Sequence, residues 1–161
     1  ANEFHLRFSI EHCTDGYLII DDLVRNHVQC LLGPTVGGKG KIEARNKTFK
    51  AGQILENAGI TFGLITDAPF VPIEGQLLQA ALYVKNGLSR EMALKCLTIN
   101  NAIITDIDSR VGSLEPGKDA DVVIWDVEPL ATLSQVGIVI IDGQIAYRRK
   151  AGESNVDYQK L

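Results

Sequence analysis

Three short apolar runs, separated by stretches with helical spacing, constrain this chain more than any other feature. The runs are Arg7 to Glu11, Val28 to Leu32 and Ile60 to Thr66. Between the first two, Leu18, Ile19, Leu23 and Val24 recur at helical intervals within Tyr17 to Asn26. Before the third, Lys47 to Asn57 reads as a helix closed by Gly59. Further helices are expected over Gln76 to Asn86, over Ser89 to Leu97 with Ser89 at its start, and through Ala102-Ile103-Ile104. Strand alternating with helix implies a parallel sheet, because parallel neighbours need a crossover between them. Three such strands leave two open edges, whereas a closed barrel of strand–helix units needs eight.

Past residue 110 the texture changes. Val122 to Trp125, Val136 to Ile141 and Gln144 to Arg148 are rich in Val and Ile, and Asp142-Gly143 joins the last two. An Asp-Gly pair between apolar runs is a strong hairpin signal. This region is therefore expected to be antiparallel, with a boundary near Thr105 to Val111. The division expected is 1–105, 106–149 and a polar tail over 150–161.

Composition narrows the partners. The 161 residues are 45% hydrophobic, enough for a real core, and the net charge of −4 gives nucleic acid no reason to bind. No run approaches the roughly 20 apolar residues of a membrane span. Three scattered cysteines, Cys13, Cys30 and Cys96, make neither a disulfide framework nor a thiolate zinc site. They read as reduced and buried, which points to the cytoplasm. The chain starts Ala1-Asn2-Glu3, with no signal peptide and no initiator Met, which fits a segment of a larger protein.

Two apolar runs end on side chains of the metal-ligand type: His12 after the first and Asp67 after the third. In parallel α/β barrels, catalytic groups sit where strands end and loops begin, so a His and an Asp distant in sequence can meet over one ion. The bland alternatives are a hydrogen-bonded core histidine and a helix cap. Capping suits Asp67 poorly, because Pro69 and Pro72 delay the next helix. His5 precedes a strand and His27 lies in a helix-to-strand turn, both away from the strand ends that carry ligands.

These phrases resemble the amidohydrolase superfamily, nearest its imidazolonepropionase-like members. Glu11-His12-Cys13, Gly33-Pro34-Thr35, Arg45-Asn46-Lys47-Thr48 and Thr66-Asp67 occur in the family's order. Val111 to Asp126, with Glu115-Pro116-Gly117-Lys118-Asp119-Ala120-Asp121, is similar to the segment that leaves the family barrel for a small β-sandwich, and Val139 to Tyr147 to its closing hairpin. The resemblance implies an α/β fold: a partial TIM-type (β/α)8 barrel, its last three β/α units, followed by a small antiparallel β-sandwich segment. It implies that His12 and Asp67 are catalytic and bind a divalent metal, zinc first, with iron or manganese as alternatives. Asp67 would take the proton of the attacking water. The family's strand-1 His-x-His pair and its strand-4 and strand-5 ligands have no counterpart here. Ala68 stands where relatives often carry His, and Asn101 where Pro is usual, a change read as neutral.

Other motifs carry less. Gly33, Gly38 and Lys39 mimic the start of a phosphate-binding P-loop, but Gly40 stands where a Ser or Thr must hold magnesium, and Pro34 stiffens the loop. From Lys39 to Lys50, five cations (Lys39, Lys41, Arg45, Lys47, Lys50) face one carboxylate, Glu43. A solvated helix face explains them; a positive rim attracting an anionic substrate is the functional alternative. Asp106 and Asp108 mimic a ligand pair but fall in a turn, and Asp119 and Asp121 are expected to fix turns.

The expectation is the C-terminal part of an enzyme that cuts a C–N bond of a cyclic amide, or deaminates a related small molecule, through metal-activated water. Alone, the chain should bind metal poorly, turn over nothing, and self-associate or pair with the N-terminal part it lacks. The alternatives are a non-catalytic scaffold of the same fold that oligomerises, and a P-loop nucleotide module. Substrate, metal identity and number of ions are not legible.

Overall fold

A computed structural model describes residues 1–38 and 40–150. Residues 151–161 of the expected polar tail, and Lys39, lie outside the described residues.

The first half builds a three-stranded parallel sheet in the order β1-β2-β3, from Ser9–Ile10, Gln29–Leu32 and Phe62–Leu64. β3 is buried along its whole length and β2 from Cys30 onward. A parallel strand covered on both faces is continuously apolar, as Cys30 to Leu32 and Phe62 to Leu64 are. Between β1 and β2 the expected helix divides into a 3₁₀ turn over Gly16–Ile19 and α1 over Ile20–Arg25. Between β2 and β3, α2 runs only over Ala51–Asn57; residues 47–50 form its lead-in.

Three helices follow β3: α3 (Gly75–Lys85), α4 (Arg90–Leu97) and α5 (Ile99–Ile104). Ser89 caps α4 as expected, its Oγ accepting from the Met92 N–H at 3.1 Å. The core lies between the sheet and the helices. Leu23, Cys30, Leu32, Leu55, Phe62, Leu64, Tyr83 and Cys96 are almost wholly withdrawn from water there. Phe49 meets Tyr83 edge-on, with ring centroids 5.1 Å apart.

The second sheet is antiparallel: β4 (Val122–Trp125), β5 (Val136–Ile141) and β6 (Gln144–Arg148), in that order. Asp142 and Gly143 take positive φ values of 50° and 73°, the backbone that a two-residue hairpin with right-twisted strands requires. The strands of the first sheet are shorter than the apolar runs suggested. β1 pairs with β2 only at Ser9↔Gln29 and Ile10↔Cys30.

Candidate active site

Parallel strands place all their C-terminal ends on one edge of the sheet. Just beyond that edge, β1 leads into Glu11-His12 and β3 into Ile65-Thr66-Asp67, with the end of β2 between them. His12 (φ 52°) and Asp67 (φ 54°) both adopt the left-handed backbone uncommon for residues other than glycine. His5 and His27 do so as well, so this conformation alone marks nothing; neither lines the cleft described below.

Local bonds hold each turn. The Cys13 N–H donates to the Leu31 carbonyl at 3.1 Å, which ties the peptide after His12 to β2. The Ile65 N–H donates to the Leu32 carbonyl at 3.1 Å, and the Phe70 N–H to the Asp67 carbonyl at 2.8 Å. The Gly33–Pro34 and Ala68–Pro69 peptides are cis. Beneath this edge the Gln79 carboxamide is fully buried: its Oε1 accepts from the Thr35 N–H at 2.7 Å and its Nε2 donates to the Ile65 carbonyl at 2.9 Å. The loops leaving β2 and β3 are thereby joined through one side chain of α3. Gly33 (φ 128°) fits there because a Cβ would collide with the Ile65 carbonyl oxygen and the Gln79 amide.

Across the end of β2, His12 Nε2 lies 3.9 Å from Asp67 Oδ2, with both side chains half exposed. That separation is too long for a direct hydrogen bond. It is short enough for both atoms to touch one ion with bonds of about 2.0–2.2 Å. Both residues line a cleft of about 960 Å³ whose wall includes Thr14, Asp15, Pro34, Lys41, Lys47 and Phe70. Among the described residues no cluster of three or more His, Cys, Asp or Glu side chains could hold a metal. A catalytic ion ordinarily has three protein ligands. The chain's own residues thus fit part of a metal site and do not complete one.

Cys13, next to His12, is buried in the cleft wall. A hydrogen bond from the Cys30 thiol holds the Cys13 thiol below its usual range, and the same bond, with burial, pushes Cys30 up. Burial pushes Cys96 up to about 12. No base activates Cys13 among these contacts, in keeping with a structural cysteine.

The P-loop alternative meets specific obstacles. The Thr35 N–H that would face a phosphate is already taken by Gln79, and the Thr35 hydroxyl pairs with the Tyr83 hydroxyl at 2.5 Å. The next α-helix begins only at Ala51. Of the five cations after the loop, Lys41, Arg45 and Lys50 are exposed, but Lys47 is only 7% exposed, so a solvated face does not account for it. The turn aspartates behave as expected: Asp106 pairs with Arg7, Asp119 with Arg110 at 2.6 Å, and Asp121 accepts from the Asp142 N–H at 2.9 Å. Asn101, read as neutral, donates from Nδ2 to the Leu64 carbonyl at 3.2 Å. Gln79 is the site residue that sequence reasoning passed over, whereas Lys47 stood in the charged run and in the phrase Arg45-Asn46-Lys47-Thr48.

In sequence and in fold the chain resembles known proteins. Residues 9–146 match the Amidohydrolase family. A crystal structure of an amidohydrolase from Thermotoga maritima MSB8 superposes on 92% of the chain with a TM-score of 0.88 and 37% identity, and the chain covers 39% of that protein. The amidohydrolase tasK of Hapsidospora irregularis is 34% identical over 103 residues, 64% of this chain and 10% of that protein. The imidazolonepropionase of Picrophilus torridus is 49% identical over 41 residues, 26% of this chain and 10% of that protein. The chain therefore spans well under half the length of the relatives it matches.

Proposed function

The chain belongs to the amidohydrolase family, and from that premise we propose that it forms the C-terminal part of a metal-dependent hydrolase of C–N bonds in cyclic amides or related small molecules. In this reading residues 1–105 supply the last three strand–helix units of a (β/α)8 barrel. Residues 106–149 supply part of a small β-sandwich, and the remaining strands come from polypeptide preceding Ala1. The observation that carries it is the 3.9 Å approach of His12 and Asp67 at the C-terminal edge of a parallel sheet.

His12 and Asp67 would hold a divalent ion, zinc first, together with ligands from the rest of the barrel. Such an ion supplies Lewis acidity and lowers the pKa of water to about 7. The Asp67 carboxylate, half exposed to the cleft, accepts the proton of the attacking water and returns it to the leaving nitrogen. His12 orients the reacting groups from the opposite side. The turns at both residues are fixed by backbone bonds to β2 and by Gln79, so the pair is held before substrate arrives.

The test uses the intact polypeptide that carries this segment. Elemental analysis should find at least one divalent ion per chain, and Asp67→Asn should lower turnover of a responsive cyclic amide by about 10²–10⁴-fold, the usual worth of a general base. The 161-residue segment alone should hydrolyse nothing. A metal-free intact protein, or an Asp67→Asn variant at the wild-type rate, would sink the reading. A second reading, a non-catalytic scaffold of the same fold, draws on the absence of a third donor among the described residues. It predicts neither metal nor turnover in the intact protein.

A further inference from the structure

We propose that Cys13 and Cys30 form an oxidation site: hydrogen peroxide converts the pair to a reversible disulfide, and closing that bond displaces His12. The two side chains belong to one apolar cluster, and the Cys30 thiol donates a hydrogen bond to the Cys13 sulfur. The backbone accounts for the contact. Ile10 and Cys30 are partners in the β1–β2 register, and past the end of β1 the Cys13 N–H donates to the Leu31 carbonyl at 3.1 Å. Cys13 and Cys30 therefore lie on neighbouring lengths of chain. Adjacent strands run about 4.7–4.9 Å apart and a disulfide spans Cα atoms about 4.4–6.8 Å apart, so the bond can close with the sheet intact. Cys96 is the contrast. It is equally buried, but its thiol donates to the Phe62 carbonyl at 3.1 Å and faces the Asn100 amide rather than a second thiol.

Access orders the chemistry. Cys13 lines the cleft of His12 and Asp67 and keeps 6% of its surface exposed, whereas Cys30 is wholly withdrawn. So narrow an opening admits a small oxidant and brings it to Cys13 first. The Cys13 sulfur attacks the O–O bond of hydrogen peroxide and becomes a sulfenic acid, while the other oxygen leaves as water. The Cys30 sulfur then attacks the Cys13 sulfur, and the hydroxyl leaves with the Cys30 proton as a second water. One peroxide is reduced to two waters, and each thiol is oxidised by one electron. A dithiol reductant reopens the bond by exchange. The reduced Cys13 sulfur rests on Gly16, where a Cβ would collide with it, and bonding to Cys30 draws it off that seat. Cys13 follows His12 directly, and its N–H bond to Leu31 is one of those that hold the His12 turn. Moving Cys13 therefore shifts the imidazole relative to Asp67, from which it stands 3.9 Å in the reduced chain.

The experiment treats the intact polypeptide with millimolar hydrogen peroxide, blocks the remaining free thiols, and maps peptides by mass without reduction. The expected product is one Cys13–Cys30 cross-link per chain, two hydrogens lighter than the paired thiols, with Cys96 still free. Dithiothreitol should restore all three thiols. In Cys30→Ala, which lacks the resolving thiol, peroxide should instead add oxygen to Cys13. His12 is followed separately, by the imidazole Cε1–H resonance that disappears in His12→Gln. That resonance should shift when the wild type is oxidised, return with dithiothreitol, and ignore peroxide in Cys13→Ala. Thiols that stay free, a Cys13 that stops at a sulfinic acid in the wild type, or a cross-link to any other cysteine would overturn the disulfide. A Cys13–Cys30 cross-link that leaves the His12 resonance in place would overturn the displacement. The wild-type map needs no variant to fold. Neither readout needs turnover, so the pair stands or falls apart from the hydrolase reading.

Discussion

Gln79 shows how one side chain can hold a site it never touches. Its carboxamide bridges the Thr35 N–H and the Ile65 carbonyl, which follow β2 and β3 at the edge carrying Asp67. Gln79→Met keeps the volume and leaves both backbone groups buried without partners. At 1–3 kcal/mol for each orphaned group, it should lower the unfolding free energy by about 2–5 kcal/mol. Urea unfolding checks this, and a loss under 1 kcal/mol would mean that water replaces the amide. Sequence pattern conceals this role because α3 inverts the usual rule: Leu78 is 57% exposed while Gln79 is fully buried. Apolar periodicity sends leucines inward, and only the neighbouring strands reveal which face is inner. His12 and Asp67 were legible for the opposite reason. Each ends an apolar run, so the pattern itself marks the point where the chain leaves the core. The cysteines yield a further test. Thiolate is the reactive form, and the Cys30 hydrogen bond favours it at Cys13 while burial disfavours it at Cys96. Limiting iodoacetamide at mildly alkaline pH should mark Cys13 first, through the cleft, with Cys30 and Cys96 following only on unfolding. Peptide mass mapping that finds Cys96 first would contradict this order.

At the scale of elements, the shortness of the strands has a specific cause. β3 gives one edge to β2, and its other edge is met by side chains. The Phe62 carbonyl accepts from Asn100 at 2.8 Å and from the Cys96 thiol at 3.1 Å; the Leu64 carbonyl accepts from Gln76 at 2.5 Å and from Asn101 at 3.2 Å. The acceptors of this edge strand are thus covered by α3, α4 and α5, contrary to the expectation that they lie unpaired. That covering was illegible, because it depends on three helices folding back over the edge. Helix starts and turns were legible, since they depend on local chemistry, as Ser89 and Asp142-Gly143 show. Ser89 also binds the Glu56 carboxylate of α2 through its own N–H at 2.9 Å, so it joins two helices. Ser89→Ala should cost about 1 kcal/mol through loss of the cap, and Ser89→Gly only a few tenths, because glycine leaves the helix end open to water. Denaturant midpoints of the two variants give the comparison, and equal losses would assign the effect to Glu56 rather than to the cap.

For the whole molecule the question is what covers its apolar surface. Phe4, Leu6 and Phe8 lead into β1, whose outer edge has no strand beside it among the described residues, and all three are exposed. A second cleft, of about 700 Å³ and mostly apolar, is walled by Leu31, Ile65, Leu97, Val123 and Trp125, so it runs between the two sheets. Val123 and Ile124 of β4 and Ile141 and Ile145 of β5 and β6 are each about half exposed. Scattered exposed leucines are ordinary, but an open sheet edge combined with an apolar cleft is what an interface looks like before its partner arrives. The order of strands and helices that creates this surface was legible from the alternation of runs; its open side follows from three strands where a closed barrel takes eight. Burial at roughly 25 cal/mol per Å² makes even a few hundred Å² of such surface a strong drive to associate. The 161-residue chain by itself should therefore sediment as a concentration-dependent mixture of oligomers. If the function proposed above holds, addition in trans of the rest of the proposed barrel should convert it to a single smaller species. A sharp monomer boundary across a hundredfold range of concentration, unchanged by that segment, would show that the exposed surface has no partner to meet.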